Sequence, residues 1–229
     1  MNFLITGTSR GIGRYLAERY LSQGHSVIGC SRGEGTITHD NYTHYICDAT
    51  NEDEVVNMVL KIRSIIDVLI NNAGVSSMNH SLLTSGEAAE KILKTNFLGV
   101  FYFSREVAKK MILKKKHGRI VNMTSVAVPL DIEGEMIYAS SKAAVEKMTR
   151  IMSKELGRFL ITVNNLGLNP INTDMIKCIS KDKIQAVINR QAIKRIGEFE
   201  DVGNVVDFLI SEGGSFITGQ TLYLGGVWT

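Results

Sequence analysis

Residues 3–13 read Phe3-Leu4-Ile5-Thr6-Gly7-Thr8-Ser9-Arg10-Gly11-Ile12-Gly13, a short apolar run that breaks into a glycine-rich turn and then into a helical pattern. The run from Phe3 to Thr6 has the length of one buried strand. After the turn, Ile12, Leu16 and Tyr20 recur on one side of a helix beside Ala17 and Leu21, and Gly24 stops it. Strand, glycine turn and helix in that order would bring an anionic group to a helix N-terminus. Gly7 makes the tight turn, while Gly11 and Gly13 let backbone amides approach a pyrophosphate and let helix pack on strand. Glycines alone would mean little, because many loops carry them merely to turn. The flanking strand and helix supply the specificity.

Outward from this unit the pattern repeats. Short apolar runs at Ser26–Cys30, His44–Cys47, Val68–Ile70, Arg119–Met123, Ile161–Leu166 and Thr221–Leu224 alternate with helical stretches. With the first run they make about seven strands, and repeated βα units predict an α/β chain with a doubly wound parallel sheet, helices on both faces and right-handed crossovers. Two prolines and no low-complexity stretch leave no internal boundary, so one domain over residues 1–229 is expected.

Composition agrees without deciding the chemistry. The 229 residues are 44% hydrophobic and 21% charged, enough for one large core and an ordinary polar surface. No apolar run approaches the length of a bilayer, and the chain enters a strand with no charged-then-apolar leader, so a cytoplasmic protein without membrane partners is expected. Cys30, Cys47 and Cys178 are odd in number and lack metal-ligand spacing, which predicts reduced thiols and no metal site. A net charge of +3, with no aromatics interleaved in a basic stripe, gives no reason to expect nucleic acid.

Two later segments carry chemistry. Arg119-Ile120-Val121-Asn122-Met123-Thr124-Ser125 reads as a buried strand running into a loop, which leaves the Ser125 hydroxyl at the strand's carboxyl end, where open α/β sheets bind ligands. In Tyr138-Ala139-Ser140-Ser141-Lys142 the helical spacing puts a phenol and an ammonium on one face. Free tyrosine ionises near pH 10, so service as acid and base near neutrality needs roughly 3 units, or about 4 kcal/mol, part of which a neighbouring cation supplies. On a solvated helix the same spacing would carry no meaning. Its company in the rest of the chain gives it one.

Taken in order, Thr6-Gly7-x-x-x-Gly11-x-Gly13, Asp48-Ala49-Thr50, Asn71-Asn72-Ala73-Gly74, Asn96, Ser125 and Tyr138-x-x-x-Lys142 resemble the short-chain dehydrogenase/reductase family over nearly the whole chain. Asn71 to Val75, the lysine-rich segment before Gly118-Arg119-Ile120-Val121-Asn122, and Ile217-Thr218-Gly219-Gln220-Thr221 with Gly225-Gly226 are most similar to the 3-oxoacyl-(acyl-carrier-protein) reductase branch. The resemblance implies a three-layer Rossmann fold and hydride exchange between a nicotinamide and a carbonyl carbon. Tyr138 would pass the proton, Lys142 would lower the phenol pKa and bond the nicotinamide ribose, Ser125 would hold the substrate oxygen, and Asn96 would position a water leading to Lys142. For Asn96, a helix-interior amide bonded to backbone is the plainer reading. Cofactor-binding residues by the same resemblance are Gly7, Ser9, Arg10, Gly11, Ile12 and Gly13 in the first turn. Asp48 and Ala49 would meet the adenine, Asn72, Ala73 and Gly74 would form the floor, and Ile171 and Thr173 would hold the carboxamide, with Tyr138 and Lys142 completing the set.

After the second strand, Gly29-Cys30-Ser31-Arg32 stands where an NAD enzyme places an acid, and Ser31, Arg32 and Arg10 suit a 2′-phosphate, which points to NADP(H). The alternative makes both arginines surface charges and leaves Glu34 to bind the ribose of NAD(H). Two departures from the family pattern stand out. Leu168-Asn169-Pro170 replaces a usual Pro-Gly, which suggests Asn169 in a left-handed turn. Val128 and Pro129 replace small residues and predict a stiffer, more apolar pocket wall.

The substrate pocket should use residues 75–79, 126–137 and a helical lid near 174–195. Asp131, Glu133 and Glu135 form a solvated loop or bond the hydroxyls of a sugar or polyol. Lys114-Lys115-Lys116 and Arg158 resemble a patch that docks an acidic acyl carrier protein, although a lysine run also suits a helix terminus. The resemblance further implies a homotetramer, in which Phe97, Val100, Phe101 and Ser104 would pair with Ala143, Val145, Met148 and Met152, although core packing explains many of them equally well, and the tail carrying Trp228 would meet a second interface. Three functions remain: an NADPH-dependent reductase of a 3-oxoacyl thioester or similar ketone, a sugar, polyol or secondary-alcohol dehydrogenase, and a cofactor-binding protein without turnover. The intact set of Asn96, Ser125, Tyr138 and Lys142 argues against the last.

Overall fold

Every apolar run joins one parallel sheet. In this computed structural model, which describes residues 1–76, 78–114, 117–173, 176 and 180–227, the strands are β1 (Asn2–Thr6), β2 (Ser26–Ser31), β3 (Tyr42–Ile46), β4 (Val68–Asn71), β5 (Gly118–Ser125), β6 (Ile161–Leu168) and β7 (Thr221–Tyr223). Their order is β3-β2-β1-β4-β5-β6-β7, and every neighbouring pair is parallel. The order reverses between β1 and β4, and a ligand crevice opens at such a switch point, outside the carboxyl ends of the strands.

The described helices are α1 (Gly11–Ser22), α2 (Glu52–Lys61), α3 (Gly86–Leu93), α4 (Gly99–Leu113), α5 (Ala127–Leu130), α6 (Met136–Leu156), α7 (Lys181–Arg190) and α8 (Phe199–Ile210). Alternation along β1 sends Phe3 and Ile5 to one face and Leu4 to the other. Leu4, Leu69, Ile120 and Val163 pack with Val55 and Met58 of α2 and Phe103 and Val107 of α4. Phe3, Ile5, Val121 and Leu166 pack with Leu16 and Tyr20 of α1 and Val202 and Val206 of α8. The result is the doubly wound parallel sheet the repeat predicted, in the three-layer Rossmann architecture the resemblance implied.

Helix α1 follows the glycine turn, and polar contacts fix it to α8. Tyr20 Oη donates to Asp207 Oδ1 at 3.0 Å, and Arg19 Nη2 donates to Asp207 Oδ2 at 2.6 Å. Gly24, with φ at 78°, turns the chain out of the helix as expected.

A row of buried polar groups locks the other half of the sheet. Asn71, Asn122, Asn165 and Thr221 lie side by side in register on β4, β5, β6 and β7. Asn71 Nδ2 donates to Asn122 Oδ1 at 2.8 Å and to Ser104 Oγ of α4 at 2.9 Å. Asn122 Nδ2 donates to Thr149 Oγ1 of α6 at 2.9 Å, and that hydroxyl donates to Asn165 Oδ1 at 2.6 Å. Asn165 Nδ2 reaches Thr221 Oγ1 at 3.0 Å. Each bond here replaces a hydration that burial removes, so the ladder fixes how α4 and α6 sit over the strands.

Cys30 and Cys47 are free and buried, and burial raises both thiols above their ordinary range. Cys178, Trp228, Lys115 and Lys116, together with lid residues 174, 175, 177 and 179, lie outside the described residues. Among the described residues no helix is long and apolar enough to cross a membrane, and no cluster of potential metal ligands occurs.

Candidate active site

At the nucleotide end, Gly7 N and Thr8 N both donate to Cys30 O, at 2.8 and 3.3 Å, which binds the glycine turn to β2. Arg10 precedes α1 with an extended backbone (φ −163°, ψ 173°), and neither its side chain nor any acid in the first turn covers the helix N-terminus. The first-turn amides and the positive dipole end therefore face the crevice without a protein anion. Below them the packing admits only glycine. A Cβ at Gly7 would lie 3.0 Å from Asn72 Nδ2, and one at Gly13 would lie 2.3 Å from Gly7 O, whereas one at Gly11 would meet open space.

Asn72 is the brace across the switch point. Its Nδ2 donates to Thr6 O at 2.9 Å, its backbone N–H donates to Thr6 Oγ1 at 3.0 Å, and Ala73 N donates to the same hydroxyl at 2.9 Å. A tight glycine floor under an uncapped helix end fits a dinucleotide pyrophosphate. Gly7, Ser9, Gly11, Ile12 and Gly13 would hold it there, and Asn72, Ala73 and Gly74 would line the cofactor's floor.

At the chemical end, Tyr138 and Lys142 lie on α6, Ser125 closes β5, and Asn96 sits in a π-helical turn, Lys94–Leu98, between α3 and α4. Gly99 N–H in this turn bonds Lys94 O, five residues back. Such wide turns concentrate at functional sites. Asn96 Oδ1 accepts from Val75 N at 2.9 Å, while its Nδ2 donates to Val75 O at 2.9 Å and to Ser141 Oγ at 3.1 Å. Ser141 Oγ in turn donates to Tyr138 O at 2.6 Å. The plainer reading of Asn96, an amide bonded to backbone, describes these contacts.

Lys142 is 5% exposed. Its Nζ donates to Met123 O at 2.9 Å and lies 5.9 Å from the centroid of the Tyr138 ring. A Cβ at Gly74 would approach this Nζ to 3.5 Å and Asn96 Oδ1 to 3.3 Å, so the missing side chain leaves room above the lysine. Burial lowers the Lys142 pKa to about 8. Burial also raises the Tyr138 phenol to about 12, against the opposing hydrogen bond with Ser125 and with a smaller push from Glu135. The direction at Tyr138 is opposite to that expected from a lysine one turn away. In this state desolvation outweighs a cation held 5.9 Å from the ring.

The remaining expected residues lie around the crevice as follows. Ile171 is 3% exposed within the core, which leaves only its backbone for the carboxamide. Asp48 uses Oδ1 to accept from Thr50 N and Thr50 Oγ1, both at 2.9 Å, so it shapes a turn beside the adenine end. Arg10 and Arg32 are exposed beside the crevice. The left-handed turn suggested for Asn169 does not form, since Asp131 and Leu160 are the described non-glycine residues with positive φ. Its buried amide instead packs under Gly197 and toward Gln191, with Nδ2 to Gln191 Oε1 at 3.4 Å. Ser141 was missed by sequence reasoning, and one helical turn from Tyr138 was the only available hint.

Val128 and Pro129 fold into the short helix α5, whose last residue Leu130 packs, with the preceding Val126, against Val187 of α7 and Val227. Arg190 Nη1 at the end of α7 donates to Leu130 O. Lys183 Nζ lies 3.1 Å from Met78 Sδ. These contacts seat the described part of the expected lid against the pocket wall. Glu135, next to the phenol, is raised by burial against the pull of Lys183.

Comparison with known proteins finds relatives over nearly the whole chain. A family model described as enoyl-(acyl carrier protein) reductase matches residues 7–227. The chain is 34% identical over 229 residues to the 3-oxoacyl-(acyl-carrier-protein) reductase of Rickettsia felis, covering 97% of this chain and 94% of that protein. It is 32% identical over 240 residues to that of Escherichia coli, covering 99% and 98%. Among solved structures, a 4-hydroxyisoleucine dehydrogenase complexed with NADH superposes with a TM-score of 0.93 at 27% identity, over 100% of this chain and 98% of the other. The aldohexose dehydrogenase of Thermoplasma acidophilum in ligand-free form superposes at 0.87 with 30% identity, over 99% and 93%.

The depressed lysine has a measurable consequence. Between its folded value of about 8 and its ordinary 10.5, the unfolded chain holds a proton that the folded chain has released, so this group raises stability as pH climbs through that window. Denaturant midpoints of the wild type should gain on those of Lys142→Met by roughly 2 kcal/mol across it. Parallel pH profiles for the two proteins would contradict the burial of the charge.

Proposed function

The chain belongs to the short-chain dehydrogenase/reductase family and is an NAD(P)-dependent oxidoreductase, and from that premise we propose that it reduces a ketone to a secondary alcohol with NADPH, the ketone being a 3-oxoacyl thioester or a close relative. The observation that carries this reading is the phenol of Tyr138 beside the Ser125 hydroxyl and above the buried ammonium of Lys142.

Bound NADPH supplies the hydride. Ser125 holds the carbonyl oxygen and Tyr138 gives it a proton, so the ketone leaves as an alcohol with the phenol ionised. Burial keeps the phenol protonated at neutral pH but also opposes its ionisation, so donation of its proton depends on the positive charge of Lys142. The phenolate formed by that step is stabilised by the Lys142 ammonium, and desolvation makes this attraction stronger than it would be in water. Asn96 is a positioning residue: through Ser141 it holds the first turn of the Tyr138 helix.

For the nucleotide, exposed Arg10 and Arg32 and the absence of an acid at the end of β2 support NADP(H). NAD(H) bound through Glu34 is the competing choice, and a structural neighbour was solved with NADH. For the substrate, the relatives named for acyl-carrier-protein substrates support a thioester, with exposed Lys114 and Arg158 available to an acidic carrier. A desolvated Glu135 beside the phenol favours a second reading, a sugar, polyol or other secondary alcohol whose hydroxyl it would bond. A cofactor-binding protein without turnover remains the weakest, since all four catalytic positions are filled.

We also assign the chain to the cytoplasm, as one domain with α7 in its lid, assembled as a homotetramer. Phe97, Phe101, Met148 and Met152 line an apolar groove of about 630 Å³ between α4 and α6, which supports pairing of those helices between subunits. Val100, Ser104 and Val145 are core residues and add nothing to that surface.

Tyr138→Phe should lower NADPH oxidation with acetoacetyl carrier protein by more than about a hundredfold while NADPH affinity is unchanged. Activity within a few-fold of the wild type would overturn the assignment. Wild type that binds NADPH yet ignores thioesters, but oxidises a polyol, would select the second reading. Sedimentation should give a tetramer, and a monomer at micromolar concentration would refute the assembly.

A further inference from the structure

Beside the adenosine end of the crevice lies a hydrogen-bonded chain that the family motifs do not include. His44 on β3 stands in register with Gly29 on β2. Its Nε2 lies 3.0 Å from Gly33 O and 3.2 Å from Ser31 Oγ, and its Nδ1 lies 2.9 Å from Tyr42 Oη. Tyr42 Oη is in turn 2.9 Å from Thr8 Oγ1, in the glycine turn itself. Thr36 Oγ1 donates to Ser9 O at 3.3 Å, which closes the same loop against that turn.

The partners dictate the protons. A carbonyl only accepts, so Nε2 carries the hydrogen toward Gly33 O. In the neutral ring Nδ1 then accepts from Tyr42, which accepts from Thr8. Ser31 Oγ also donates to Gly33 O, at 3.0 Å. The loop is built around these side chains. A Cβ at Gly35 would lie 2.8 Å from His44 Cγ, and one at Gly29 would lie 2.2 Å from Tyr42 Oη and 2.4 Å from Thr8 Oγ1.

A serine hydroxyl has one proton, and here it is directed at Gly33 O, away from any phosphate. Because His44 donates to the same carbonyl, Ser31 can turn its proton outward while the 31–35 loop keeps its anchor. We propose that His44 is a positioning residue for nucleotide selection, holding Gly33 so that Ser31 and Arg32 converge on the 2′-phosphate of NADP(H). This rests on the NADP(H) reading above. Tyr42 acts through His44 by fixing its tautomer, and Thr8 links that choice to the turn that takes the pyrophosphate.

The test is direct binding of NADPH and NADH, followed by nicotinamide fluorescence, with 2′,5′-ADP as a competitor that lacks the nicotinamide. His44→Phe should weaken NADPH and 2′,5′-ADP about tenfold and leave NADH within about twofold. His44→Gln, whose amide can still donate to Gly33 O, should keep the wild-type ratio. Ser31→Ala should weaken NADPH in the wild-type background and add nothing in His44→Phe. A merely structural role would weaken both nucleotides in parallel, and that result, or a ratio unmoved by His44→Phe, overturns the inference. Wild-type protein with no preference for NADPH overturns the nucleotide assignment itself.

Discussion

The enclosure of the Lys142 ammonium is the constraint on which the rest of the site depends. An ammonium 5% exposed and, among the described residues, without a carboxylate partner loses most of its hydration, and one bond to Met123 O returns only part of it. Such a group persists only where the surrounding structure over-determines its place. β5 supplies the carbonyl, Gly74 withholds a side chain, Asn96 ties the chain after β4 to the first turns of α6, and the asparagine ladder holds β4, β5, β6 and α6 in one arrangement. The fold makes room for one charge that would otherwise escape to water.

Burial then decides the electrostatics. Spacing along α6 argues that the lysine pulls the phenol down, whereas in this state the phenol is high and the lysine is low. Both shifts have one cause, since desolvation disfavours whichever form is charged. The pair therefore begins with the phenol protonated and the lysine's charge disfavoured by burial. Formation of a phenolate beside the ammonium would relieve both penalties together, which ties the energetics of the pocket to the proposed step.

What could be read from the chain follows from the range of each interaction. Strand runs, the α1 stripe, the glycine turn and the Tyr138–Lys142 spacing are local patterns, and they predicted the sheet, the helix N-terminus after the turn and the shared face of α6. Contacts set by register across the sheet were not legible. Tyr42 and His44 meet Thr8 and Ser31 only because β3 lies beside β2, and Asn71, Asn122 and Asn165 look like scattered amides until the strands align. Asn169 misled because its place in a motif suggested backbone strain, whereas its side chain is used in packing. Val100, Ser104 and Val145 could not be assigned from the chain because a small or apolar helix residue fits an interface and a core equally well, and the structure puts them in the core.

The most direct measurement is the ionisation of Tyr138 itself, followed by NMR of tyrosine labelled at Cζ, with Tyr138→Phe to assign the signal. Without nucleotide the account predicts a titration well above the ordinary 10, near 12. A phenol that ionises at or below 10 would mean that the lysine's charge, rather than burial, governs the pair, and would contradict the account.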